Sequence, residues 1–173
     1  MKNKEDWIFH NTKILLEHYR DVVWSLEVAA FRTNASFETE FGSSLEEFLE
    51  LSYEAGLDLA ESDVASRIQS MNKSRNMLRI IDSSVTILRE RNKFGEIYYW
   101  VLYYTYLSPQ QLGSVDEIIE NLTAYIPDLA KATYYRRRNE AIQQLGRLLW
   151  GYTTKECEKL LTLFFDDKTE KKR

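Results

Sequence analysis

Apolar residues recur every three or four positions along most of this chain, the period of helices that bury one face. Over residues 4–31, Trp7, Ile14, Leu15, Tyr19, Val22, Leu26 and Ala29 keep that spacing and predict one helix. A connection is expected from Asn34 to Gly42. Ser44-Leu45-Glu46-Glu47 has the form of a capping box, in which serine and glutamate satisfy each other's exposed amides. It opens a helix to about Gly56 that continues brokenly towards Ala60.

Val64, Ile68, Met71, Leu78, Ile81, Val85 and Leu88 form a stripe close to heptad spacing, which predicts a long helix from Ser62 or Asp63 to Arg91. Asn92 to Gly95 breaks it. Residues 97–107 form an aromatic helix ended by Ser108-Pro109. Ser114-Val115-Asp116-Glu117 is a second capping box, and Asp128 is the expected cap of a helix running to Trp150 and stopping at Gly151. Thr153-Thr154-Lys155-Glu156 is a third box and opens a last helix to about Phe165. The fold class expected is all-α, a multi-helix bundle. An acidic helical module over residues 1–61 precedes a helical module over 62–165 and a charged tail over 166–173. No flexible linker marks the first boundary, so a shared core stays open.

Composition narrows the class further. With 44% apolar residues, two prolines and six glycines, the chain suits a packed helical core better than a loop-rich sandwich or disorder. A single cysteine, Cys157, excludes an internal disulfide framework and a cysteine zinc cluster. The N-terminus is polar and carries no cleavable apolar run. Residues 97–107, with five tyrosines, are too short for a bilayer that needs about 20 residues. A cytoplasmic protein with no membrane partner is expected. Nothing suggests an enzyme: there is no glycine-rich phosphate loop, HExxH or nucleophile elbow. His10 and His18 lie on one helix without a third ligand or a partnered nucleophile. No catalytic residue, metal or cofactor is expected.

The charge is unevenly placed. Its net value is −4, yet from Thr33 to Ser66 there is no lysine or arginine. That stretch holds nine carboxylates, all within residues 38–63. Glu46, Glu50 and Glu54 would share one helix face, either simply solvated or offered to a basic partner. Residues 131–150 carry Lys131, Arg136, Arg137, Arg138 and Arg147 against Glu140 alone. Such polarity steers one end of a protein towards phosphate.

The basic cluster begins a helix that follows a short capped helix and a tight junction at Ile126-Pro127-Asp128-Leu129. That is the layout of a C-terminal helix-turn-helix over about residues 114–150. On a helical wheel Ile142, Leu145 and Leu149 define the inner face, with Tyr134 and Ala141 at its margin. Thr133, Arg136, Arg137 and Glu140 fall outside, while Arg138 and Tyr135 lie nearer the inner stripe. One of Tyr134 and Tyr135 belongs to the core, and the wheel leaves open which. The candidate DNA-binding set is Lys131, Thr133, Tyr134, Arg136, Arg137 and Arg138. Arginine's fork matches guanine's two major-groove acceptors or clamps phosphate, and Lys131 beside free helix amides favours phosphate.

The segment from Leu78 to Gly151 resembles the ArpU/RinA-type phage regulators, whose C-terminal half is similar to the fourth region of sigma-70 factors. The matching pieces are Leu78-Arg79-Ile80-Ile81-Asp82, Gly95-Glu96-Ile97-Tyr98-Tyr99 with Leu102-Tyr103-Tyr104-Thr105-Tyr106, the run Thr133-Tyr134-Tyr135-Arg136-Arg137-Arg138-Asn139-Glu140-Ala141-Ile142, and Leu148-Leu149-Trp150-Gly151. The resemblance implies a sigma-region-4-like head acting in transcription of phage or prophage late genes, with Thr133, Arg136 and Arg137 facing DNA. It covers rather under half of the chain and leaves out the acidic N-terminal third. The sequence departs from that pattern where such heads usually have a serine-rich turn: here Pro127-Asp128-Leu129-Ala130-Lys131-Ala132 leads into the helix, and its start stays open.

The leading expectation is a sequence-specific regulator that binds double-stranded DNA, with RNA polymerase and a second copy as further partners to consider. Two alternatives stand beside it. One is an interaction module that binds no DNA, docking on polymerase or inhibiting a DNA-binding enzyme by mimicry. The other is a small DNA-packaging subunit of a phage.

Overall fold

The computed structural model describes residues 4–42 and 63–150, with the isolated positions 47, 50, 51, 54 and 55 between them. Helices make up nearly all of it, and no strand occurs among the described residues. They are α1 (Lys4–Glu17), α2 (Tyr19–Phe41), α3 (Asp63–Arg91), α4 (Gly95–Leu102), a π-helical segment (Tyr103–Leu107), α5 (Val115–Leu122) and α6 (Lys131–Trp150). The expected helix at 44–56, the final helix to 165 and the tail lie largely or wholly outside the described residues.

Three expectations are corrected. The helix predicted over 4–31 is two elements, parted at His18, where the backbone opens to φ −94° and ψ −1°. The hydrogen-bond ladder carries through, since the His18 amide donates to Ile14 and its carbonyl accepts from Val22. The connection predicted from Asn34 to Gly42 is helical instead. Its polar residues are accommodated by local bonds such as Thr39 Oγ1 to the Ala35 carbonyl at 2.8 Å, and only Gly42, left-handed at φ 68°, ends α2. The aromatic helix starts at Gly95, where a Cβ would run into the carbonyls of Leu88 and Arg89, and its last five residues widen into the π turn.

Two apolar clusters hold the elements together. In the first, Leu16 of α1 meets Ile81, Val85 and Leu88 of α3, Tyr98 and Leu102 of α4, Tyr106, and Ala141, Ile142 and Leu145 of α6. In the second, Val101 of α4 packs with Ile118 and Leu122 of α5, Leu129 and Tyr134. Helix α4 supplies both, so it is the wall against which α5 and α6 are set. Near its far end α6 lies close on α1: Gly146 faces Ile8 and Thr12, and the Trp150 indole donates to Thr12 Oγ1 at 3.1 Å.

A π turn leaves backbone carbonyls without their usual partners. Arg20 of α2 supplies donors to three acceptors at the end of this one: the Ser108 carbonyl at 2.8 Å, the Thr105 carbonyl at 3.1 Å and Ser108 Oγ at 3.1 Å. The N-terminal helices thereby fix the far end of the aromatic helix.

Candidate nucleic-acid interface

Ser114 caps α5 as predicted, its Oγ accepting from the Glu117 amide at 3.2 Å. The reciprocal bond is displaced by one residue, because Glu117 Oε2 accepts from the Gly113 amide at 2.7 Å. Helix α5 ends at Leu122, and α6 begins at Lys131. The predicted tight junction is therefore an eight-residue connection, longer than the three or four residues of the simplest helix-turn-helix. It is well anchored. The amides of Tyr125 and Ile126 both donate to the Leu122 carbonyl, Tyr125 stacks on Trp100 with centroids 3.7 Å apart, and Leu129 enters the second cluster.

Asp128 is not the cap of α6. It sits in the left-handed region at φ 55°, and the first bond of the helix runs from the Tyr134 amide to the Ala130 carbonyl at 2.9 Å. Aspartate tolerates that conformation better than most residues, and it lets the chain reverse after Pro127.

The residues of α6 that pack inward, Tyr134, Ala141, Ile142, Leu145 and Gly146, determine which side chains face outward. Tyr134 is completely buried and its hydroxyl bonds Thr105 Oγ1 at 3.1 Å, so it is a core residue and drops out of the candidate contact set. Tyr135, placed near the inner stripe by the wheel, is instead 37% exposed. Thr133 and Arg137 are half-buried rather than outward. Arg137 lies across the Phe94 ring, 4.6 Å from its centroid, and donates to Glu140 Oε2 at 2.9 Å. Arg138 lies over Tyr135 at 4.9 Å, and its Nε is buried without a hydrogen-bond partner.

Lys131 donates to Asp116 Oδ1 at 2.9 Å, joining the first turn of α6 to the first turn of α5. That carboxylate holds the ammonium pKa above its ordinary value. Arg136 keeps 63% of its side chain in solvent, and its nearest carboxylate, Glu140, is 4.0 Å away. At the other end of the helix Arg147 pairs with Glu5 of α1 at 3.7 Å and serves the bundle. The outward face of the first turns thus comprises Lys131, Ala132, Tyr135, Arg136 and Asn139.

Of these, sequence reasoning missed Ala132, Tyr135 and Asn139. The signal was available in Tyr134. Anchoring the wheel on that residue together with Ala141, Ile142 and Leu145 puts Arg136 opposite, with Ala132 and Asn139 to one side of it, while Tyr135 stays at the margin of the inner face. Among the described residues, no three His, Cys, Asp or Glu side chains converge to hold a metal, and no helix is long and apolar enough to cross a membrane. Comparison with protein-family models, with curated proteins and with solved structures returned no match to this chain.

Proposed function

We propose that this chain is a sequence-specific DNA-binding transcription regulator, with α5 and α6 acting as a helix-turn-helix of enlarged turn. The ArpU/RinA resemblance gives the setting, transcription of phage or prophage late genes. The observation that carries the reading is the exposed Arg136 guanidinium on the outward face of α6, one turn from the helix N-terminus. Arg137 and Arg138 stand beside it.

The chemistry suits a polyanion. The first amides of a helix have no partner within it and carry the positive end of its dipole. Lys131, Arg136 and these amides together offer phosphate both charge and directed donors. Helix α5 and the anchored connection hold the face rigid, which is what a reading helix needs to keep register on the duplex.

Fluorescence anisotropy of the full chain against tiled duplexes from its genomic neighbourhood tests the reading, run at two salt concentrations beside an Arg136→Ala/Arg137→Ala double variant. Fragment-selective binding that weakens with salt and is lost in the variant is expected. Absence of duplex binding, or equal binding by the variant, overturns it and turns attention to a protein partner.

A further inference from the structure

The outward face of α6 is sparse in groups that can identify a base. Away from the buried Tyr134, Ala141, Ile142 and Leu145, the exposed side chains of the first turns include Ala132, Arg136 and Asn139, with Tyr135 exposed at the margin. Lys131 is engaged by Asp116, and Arg137 by Glu140 and the Phe94 ring. Only two of the outward side chains have planar, multidentate polar ends. One is the Arg136 guanidinium and the other is the Asn139 amide.

The geometry points to Arg136 and Asn139 as the base-reading pair, taking a guanine and an adenine in neighbouring base pairs of the major groove. This rests on the DNA-binding reading and adds the bases that the site selects. A guanidinium fork complements guanine O6 and N7, and a carboxamide complements adenine N6 and N7. Three residues of helix advance about 4.5 Å, enough to carry the second side chain to the next base pair, about 3.4 Å on along the duplex.

Arg138 is a positioning residue for this pair. Its guanidinium lies over the Tyr135 ring, and Nη2 reaches Asn139 Oδ1 in a long bond of 3.4 Å. That contact turns the amide while leaving Nδ2 and the second oxygen lone pair for a base. Ala132, with only a methyl, lets the helix approach the groove floor closely.

The test is selection of binding sites from a randomised duplex library by the full-length chain, by Asn139→Ala and by Arg136→Ala. Both positions are exposed, and circular dichroism checks that the variants fold. The wild-type chain should return a motif with guanine and adenine in neighbouring pairs. Asn139→Ala should lose the adenine preference alone, a fall in discrimination of roughly 5- to 150-fold at that pair. Arg136→Ala should lose the guanine preference. If both variants return the wild-type motif, the pair is overturned while sequence-specific binding stands. If the wild type binds duplex with no base preference, the pair and the sequence specificity fall together and only non-specific binding remains. If the wild type binds no duplex even at low salt, both readings fall together.

Discussion

Arg137 donates to Glu140 Oε2 at 2.9 Å, one turn along the same helix, so the central arginine of the basic run is held back by the only acid within α6. Glu140 also accepts from the Tyr98 hydroxyl at 3.2 Å and lies 4.0 Å from Arg136. It thus restrains the cationic face while tying it to α4. Glu140→Gln keeps the shape and removes the charge. Duplex affinity should then rise about 2- to 5-fold, the worth of one partly exposed ion pair, and stability should fall by less than about 1 kcal/mol. Anisotropy and a urea melt on the same preparation measure both. Unchanged affinity would mean that Glu140 does not restrain the arginines.

Arg20 is the stabilising contact that pattern reading could not foresee, because its acceptors lie more than 80 residues away. It serves two backbone carbonyls and one hydroxyl at the end of the π turn. Arg20→Ala should cost about 2–3 kcal/mol, since charge-assisted bonds are lost and part-buried carbonyls are left without a donor. Arg20→Lys should recover less than half of that, because one ammonium cannot reproduce the planar fork. Equilibrium urea unfolding of the three chains decides it; full rescue by lysine would show that charge alone matters there.

Local features were legible in the sequence to the extent that they depend on local chemistry. The Ser114 cap and the bounds of α3 follow from neighbouring side chains, and so they were readable. The run from Asn34 to Gly42 misled because its small polar residues favour turns only when no ladder continues through them. Here the ladder does continue. The orientation of α6 was misread for a different reason. The wheel placed Ile142 and Leu145 inside correctly but left Tyr134 at the margin, because what draws Tyr134 inward is a second cluster formed with Val101, Ile118, Leu122 and Leu129. The periodicity within α6 does not show that those distant residues meet Tyr134. Gly95 shows the same limit: it looked like a helix breaker, and it is the close approach that lets α4 begin beside α3.

Buried phenols make the fold sensitive to alkali. Tyr106 is almost fully enclosed, and burial pushes its pKa up to about 12. Tyr19 is raised as well, first by burial and then by its bond to Asp82. A free tyrosine ionises near 10, so the unfolded chain releases these protons first. The stability they contribute is therefore full below pH ~10 and is lost as pH rises towards ~12. Unfolding followed by far-ultraviolet circular dichroism should set in across that window, and Tyr106→Phe should move the alkaline midpoint upward. A midpoint unaffected by Tyr106→Phe would assign the transition to other groups.

Gly146 sets how closely α6 lies on α1. A Cβ there would stand 2.6 Å from Ile8 Cγ2 and 2.7 Å from Thr12 Oγ1, both short branches with little room to move. Thr12 is itself fixed, donating to the Ile8 carbonyl at 2.7 Å and accepting from the Trp150 indole at 3.1 Å. In an open helix, glycine to alanine would stabilise by about 1 kcal/mol. Here overpacking of about 1–3 kcal/mol opposes that gain. Gly146→Ala should leave the protein less stable by up to about 2 kcal/mol and weaken the Trp150–Thr12 bond. Thermal unfolding and the Trp150 indole proton resonance report the two effects. An alanine variant more stable than wild type would show that α1 does not pack on α6 at this point.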